Sequence, residues 1–168
     1  TMRLFAEELN VGSYEMLLTL PVRPADIIVG KFLAGVVFVA VMLVPTLSYA
    51  IFTSFIGDLD WGPIIGGYTG AILLGAAFCA IGVFASSMTR NQIIAFIVGM
   101  VICFGLTLID KMLYFFPRSL IEIVNYLGAG YHFENISKGI IDTRDIVYFF
   151  SVIFVALYGS HLVLQEKR

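Results

Sequence analysis

This sequence is poor in charge. Lys, Arg, Asp and Glu make up 13% of its 168 residues, about half the share in a soluble domain. The net charge of −2 is too small to point to nucleic acid or to a polybasic membrane anchor. Cysteine is scarce as well. Cys79 and Cys103 both sit inside apolar runs, where a thiol packs as a small hydrophobe, and they read as helix-packing residues. Catalytic signatures are absent. There is no G-x-x-x-x-G-K-S/T, and the Gly30-Lys31 pair runs into Phe32 without a glycine cradle, so no ATP site of that type and no cofactor of the chain's own is expected. G-x-S-x-G, H-E-x-x-H and C-x-x-C are missing too, which leaves no catalytic residue to nominate. The opening Thr1-Met2-Arg3-Leu4-Phe5 lacks the apolar stretch of a signal peptide, and the chain reads as a piece of something longer.

What is present is apolar length. The hydrophobic fraction is 60%, gathered into runs at about residues 32–56, 64–86, 93–109 and 146–164. A helix needs about 20 mostly apolar residues to cross the hydrocarbon of a bilayer. None of these runs carries the polar stripe of a soluble amphipathic helix. The expected fold is therefore all-α, a polytopic membrane bundle of about four spans. Residues 1–31 form a polar entry segment, residues 32–168 the transmembrane domain, and residues 110–145 a connecting segment within it. The loop with Arg90 is basic and the loop with Asp58 and Asp60 acidic. The positive-inside rule puts the first in the cytoplasm, and parity then places both ends of the chain there and residues 110–145 outside.

The entry segment holds an amphipathic helix signal. Gly12 and Ser13 offer an N-cap, Glu15 suits the first turn, Tyr14, Leu17 and Leu18 recur at helical spacing, and Pro21 stops the helix. Pro24 and Asp26 then start the first span, which Pro45 should kink. In the outer segment Leu120, Ile123, Val124 and Leu127 form one apolar stripe and Phe133, Ile136 and Ile140 another, with Gly128-Ala129-Gly130 between them. Two readings stay open there: short helices lying on the surface, or a re-entrant element lining a gate at Gly128, Gly130, His132 and Glu134. His132 and Glu134 alone, without further ligands nearby, are a weak metal pattern, and no metal is expected. Asn135-Ile136-Ser137 matches a glycosylation sequon and is given no role.

Within the spans, Gly66 and Gly70 make a GxxxG step continued by Gly75 and Gly82, a pattern that lets helix backbones approach closely. Ionisable groups are almost missing there. His161, near the end of the last run, reads as a snorkelling residue, which argues against an ion-coupled carrier.

Phe5-Ala6-Glu7-Glu8, then Gly12-Ser13-Tyr14-Glu15-Met16-Leu17-Leu18-Thr19-Leu20-Pro21-Val22 and Asp26-Ile27-Ile28-Val29-Gly30-Lys31-Phe32 resemble the ABC-2 family of ABC transporter permeases. Thr89-Arg90-Asn91-Gln92 and His132-Phe133-Glu134 look like the gliding-motility-type branch. Where relatives often carry Lys or Arg after the paired glutamates, this chain has Leu9-Asn10-Val11. The resemblance implies the last four spans of a six-span permease, working as a homo- or heterodimer in a bacterial inner membrane. A separate ABC ATPase would bind ATP and Mg. It places the ATPase contact at Glu7, Glu8, Gly12, Ser13, Tyr14, Glu15, Leu17, Leu18 and Pro21, with a lesser one at Arg90. The expected function is the transmembrane subunit of an ATP-driven exporter. The alternatives are a non-transporting membrane scaffold of an envelope or gliding machine and, less favoured, a secondary carrier.

Overall fold

A backbone N–H or C=O left unpaired in hydrocarbon is costly, so each apolar run must close its own hydrogen bonds as a helix. In the computed structural model, which describes residues 5–11, 24–57, 60–109, 111, 127–140 and 142–166, they do. Helix α1 covers Ala6–Val11 and α2 Pro24–Leu43. A 3-10 turn at Val44–Thr46 leads into α3, Leu47–Ile56. Then come α4, Trp61–Met88, and α5, Gln92–Leu108, followed by α6, Ala129–Ser137, and α7, Thr143–Glu166. Ala25–Ile56, Trp61–Met88 and Thr143–Glu166 are each long and apolar enough to cross a membrane. The shorter α5, with 17 residues, reaches about 25 Å, at the short end of the spanning range. The proposed amphipathic helix at 12–21, Asp58, Asp110 and the stripe from Leu120 to Val124 lie outside the described residues.

Local chemistry sets the breaks. Proline has no N–H to give and its ring collides with the carbonyl four residues back, so at Pro45 the α-helix gives way to the 3-10 turn. Thr46 Oγ1 donates to Leu43 O at 2.6 Å and Ser48 Oγ to Pro45 O at 2.7 Å, which satisfies the carbonyls around the break. Before α4, Asp60 Oδ1 accepts the Gly62 N–H at 3.1 Å, an N-cap contact. The helix thus starts three residues ahead of the apolar run. Pro63 falls in the first turn, where no N–H is needed. At the other end α4 runs on through Ser86 and Ser87, both fully buried, into what the sequence marks as a polar loop. Ser87 Oγ closes back on Phe84 O at 2.7 Å. Asn91 Oδ1 then accepts the Ile93 N–H at 2.9 Å and opens α5.

The chain divides into two compact units: Thr1–Gly35, Ala76–Phe104 and Phe150–Arg168 form one, Val36–Gly75 and Gly105–Phe149 the other. In the first unit Phe5, Ile28, Val83 and Leu164 make the buried cluster, with Ile27 and Leu157 packed against it. Gly159 admits the Phe84 ring so closely that a Cβ there would lie 2.8 Å from ring carbon Cε2. In the second unit Gly75 receives Val39, whose Cγ1 would stand 2.7 Å from an added Cβ. Burial is uneven among the long helices: half of the apolar window of α4 is covered, against 6% for Ala25–Ile56.

Candidate functional site

In the first unit the residues at the head of the entry segment are fastened to helices far away in sequence. A six-residue helix such as α1 is far too short to hold itself together in isolation. Its stability has to come from what it touches. The backbone N–H groups of Phe5 and Ala6 both donate to Ser86 Oγ, each at 2.9 Å and in a buried setting. A hydroxyl from the last turn of α4 thus does the work that a helix usually assigns to its own N-cap side chain. The Phe5 ring has no exposed surface and joins the apolar cluster of Ile28, Val83 and Leu164. Lys31 Nζ sits over that ring, 3.9 Å from its centroid, a cation–π contact. The same ammonium forms an ion pair with Glu8.

Phe5→Ala would therefore remove a fully buried ring and the face on which Lys31 rests. The expected cost is about 3–5 kcal/mol, to be read from SDS-titrated unfolding in bicelles. A loss below about 1 kcal/mol would mean that α1 is not packed in this way.

Of the contact residues named from sequence, Glu7 is exposed at the start of α1, and Glu8, less exposed, has its carboxylate taken up by Lys31. Arg90 is exposed in the turn between α4 and α5. Gly12, Ser13, Tyr14, Glu15, Leu17, Leu18 and Pro21 lie outside the described residues. Sequence reasoning missed Ser86 and Lys31 as parts of this cluster. Ser86 stands there only as the last residue of an apolar run and Lys31 as the last of the polar entry segment, and no local spacing joins either to Phe5.

In the second unit the gate candidates separate. Gly128 is the buried N-cap position of α6, extended at φ −77° and ψ 120°, and Gly130 is half-buried. His132 is 1% exposed and its Nδ1–H donates to Asp145 Oδ1 at 2.6 Å, while Asp145 is 3% exposed at the start of α7. Tyr148 stacks on the imidazole at 4.1 Å between centroids and its hydroxyl donates to Leu127 O at 2.7 Å; Tyr131 meets the imidazole edge-on. Glu134 faces away. It is exposed and pairs with Lys138 at 2.8 Å, whose ammonium holds the carboxyl below its ordinary value. His132 thus has Asp145 and not Glu134 as its carboxylate. Among the described residues no three His, Cys, Asp or Glu side chains gather as a metal site. No local spacing in the sequence links Asp145 to His132, thirteen residues away.

The packing glycines take different roles. An added Cβ at Gly66 would lie 2.2 Å from Ile136 O, and one at Gly70 would meet the side chains of Phe133 and Ile136 at 3.2 and 3.3 Å. Both hold α6 close against α4. Gly70 lies nine residues into α4, about 14 Å along the axis, so α6 packs beside the first turns of that helix. Gly82 borders a gap of about 240 Å³ in the first unit, lined with Ala95, Gly99 and Cys103 among others.

The family described as ABC-2 family transporter protein matches residues 1–127. No curated protein matches the chain.

Proposed function

The chain belongs to the ABC-2 family of transporter proteins, the permease component of ABC transporters and not the ATPase, and from that premise we propose an exporter subunit driven by a separate ATPase. The ATPase docks on residues 7–21, with Arg90 as a lesser contact, and binds the ATP and Mg that this chain has no motif to hold. The permease works as a dimer with itself or a paralogue, crosses a bacterial inner membrane four times within this sequence, and keeps both ends of the sequence in the cytoplasm. We assign it to the gliding-motility-type branch on the resemblance carried by Thr89-Arg90-Asn91-Gln92 and His132-Phe133-Glu134. Gly128, Gly130, His132 and Glu134 are kept as the candidates for an outer gate, with helices lying on the outer surface as the alternative.

The observation that carries the coupling role is the fastening of Phe5 and Ala6 to Ser86. A docking segment can pass a rigid-body movement to a helix bundle only if its base is held to that bundle. The test is co-purification of the permease with its candidate ATPase, wild type against Glu15→Arg and against Leu17→Asp/Leu18→Asp. Release of the ATPase from a permease still folded in the membrane is the expected result. Unchanged binding removes residues 12–18 from the interface, and a permease that never holds an ATPase returns the chain to the scaffold class.

A further inference from the structure

We infer that Ser86 and Lys31 are positioning residues of the transport cycle: they lock α1 to the helix bundle so that movement of the entry segment becomes movement of the spans. The inference rests on the ATPase-coupled function proposed above and names the joint through which coupling passes.

Three helices hold α1, each by a different kind of contact. Ser86 on α4 supplies the shared acceptor for the Phe5 and Ala6 N–H groups. Lys31 on α2 covers the Phe5 ring and pairs with Glu8. Leu164 on α7 packs in the apolar cluster with Phe5. Apolar packing alone would secure the helix but leave it free to slide or rotate, because dispersion and hydrophobic burial have little direction. Hydrogen bonds to one hydroxyl and a cation held over one ring face do have direction. They set both the axial position and the rotation of α1.

Position along the chain gives that fixation its consequence. The segment proposed to meet the ATPase begins one residue after α1 ends at Val11. A push on residues 12–21 reaches the first unit through α1 on one side and through α2 on the other. Lys31 joins those two arms directly, through Glu8 on α1 and its own backbone on α2. The pair is only partly buried, with side-chain exposures of 16% and 29%. An apolar pair would pack there with less desolvation. A directional tie between the two arms is what the charged pair adds.

The test uses the full-length permease with its ATPase in nanodiscs and a reporter cysteine at Ile56, which is 87% exposed, with Cys79 and Cys103 replaced by Ala. ATP plus orthovanadate is the probe, and the readout is the rate of maleimide labelling. In the wild-type background ATP–vanadate should change that rate about fivefold or more, the scale of ordinary allosteric coupling. Ser86→Ala and Lys31→Met should hold the ATPase in the normal ratio yet cut the response below about twofold. Ser86→Thr and Lys31→Arg, which keep the hydroxyl and the charge, should restore it.

A full response in Ser86→Ala and Lys31→Met overturns the inference. So does loss of the fold or of the ATPase in those variants, since the contacts would then be structural only. Failure of the wild-type background to bind the ATPase, or to respond at all, overturns the coupled function itself and the joint with it.

Discussion

Gly66→Ala will destabilise the protein by about 3 kcal/mol, whereas Gly70→Ala, one helical turn further on, will change it by less than about 1 kcal/mol. Both glycines lie on α4 and face α6, and both belong to the same GxxxG step, so composition gives no reason to treat them differently. The difference is in what a methyl group would meet. At Gly66 it would lie 2.2 Å from Ile136 O and 3.1 Å from the Gly139 Cα, both backbone atoms. Backbone at that place cannot turn aside: Ile136 is fully buried and Gly139 is held at φ +82°, with Gly62 and Pro63 against it. The helix itself must move off α4, with loss of the apolar contact beneath it. At Gly70 the nearest atoms belong to the side chains of Phe133 and Ile136, at 3.2 and 3.3 Å, and a shift of a few tenths of an ångström accommodates the methyl. The helix propensity of Ala over Gly, about 1 kcal/mol, then offsets much of the remaining strain. SDS-titrated unfolding in bicelles measures both variants; equal losses would show that α6 does not rest on Gly66.

His132→Ala is expected to cost about 3 kcal/mol, because it strands a buried hydrogen-bonding carboxyl group and empties a buried side-chain site. Asp145 is 3% exposed, its Oδ2 has no hydrogen-bond partner, and its Oδ1 is held by His132 Nδ1–H at 2.6 Å. Without the imidazole the carboxyl group loses that donor while still buried, and Tyr148 loses the ring on which it stacks. A buried group stranded in this way costs more than the lost hydrogen bond itself was worth. The double variant His132→Ala/Asp145→Ala should therefore be more stable than His132→Ala alone, because it removes the stranded group. A double-mutant cycle in the same unfolding assay gives the coupling directly. Simple additivity of the two single losses would mean that the two side chains do not interact as described.

The all-helical architecture and the break at Pro45 were legible in the amino-acid sequence. They follow from interactions within a few residues. An apolar run closes its own backbone bonds, and Pro45 cannot continue an α-helix. The family match over residues 1–127 likewise includes the Phe5-Ala6-Glu7-Glu8 motif on which the resemblance rested. Helix ends were less legible where side chains settled them from afar. Ser86 closes the apolar run at 64–86, where a hydroxyl normally seeks water. It is buried because two N–H groups from residues 80 and 81 positions earlier need an acceptor there.

By itself, then, the sequence determined that the described apolar runs are helices, how apolar they are and that Pro45 breaks the first, since these effects act within a turn or two. Only the tertiary structure decided the partners: Ser86 with Phe5, Lys31 with both Phe5 and Glu8, His132 with Asp145, Gly66 with Ile136. Each of these joins surfaces on different helices. Which faces meet depends on the rotation and axial offset of whole helices, and those are set by the sum of all their contacts, which no short stretch of sequence contains.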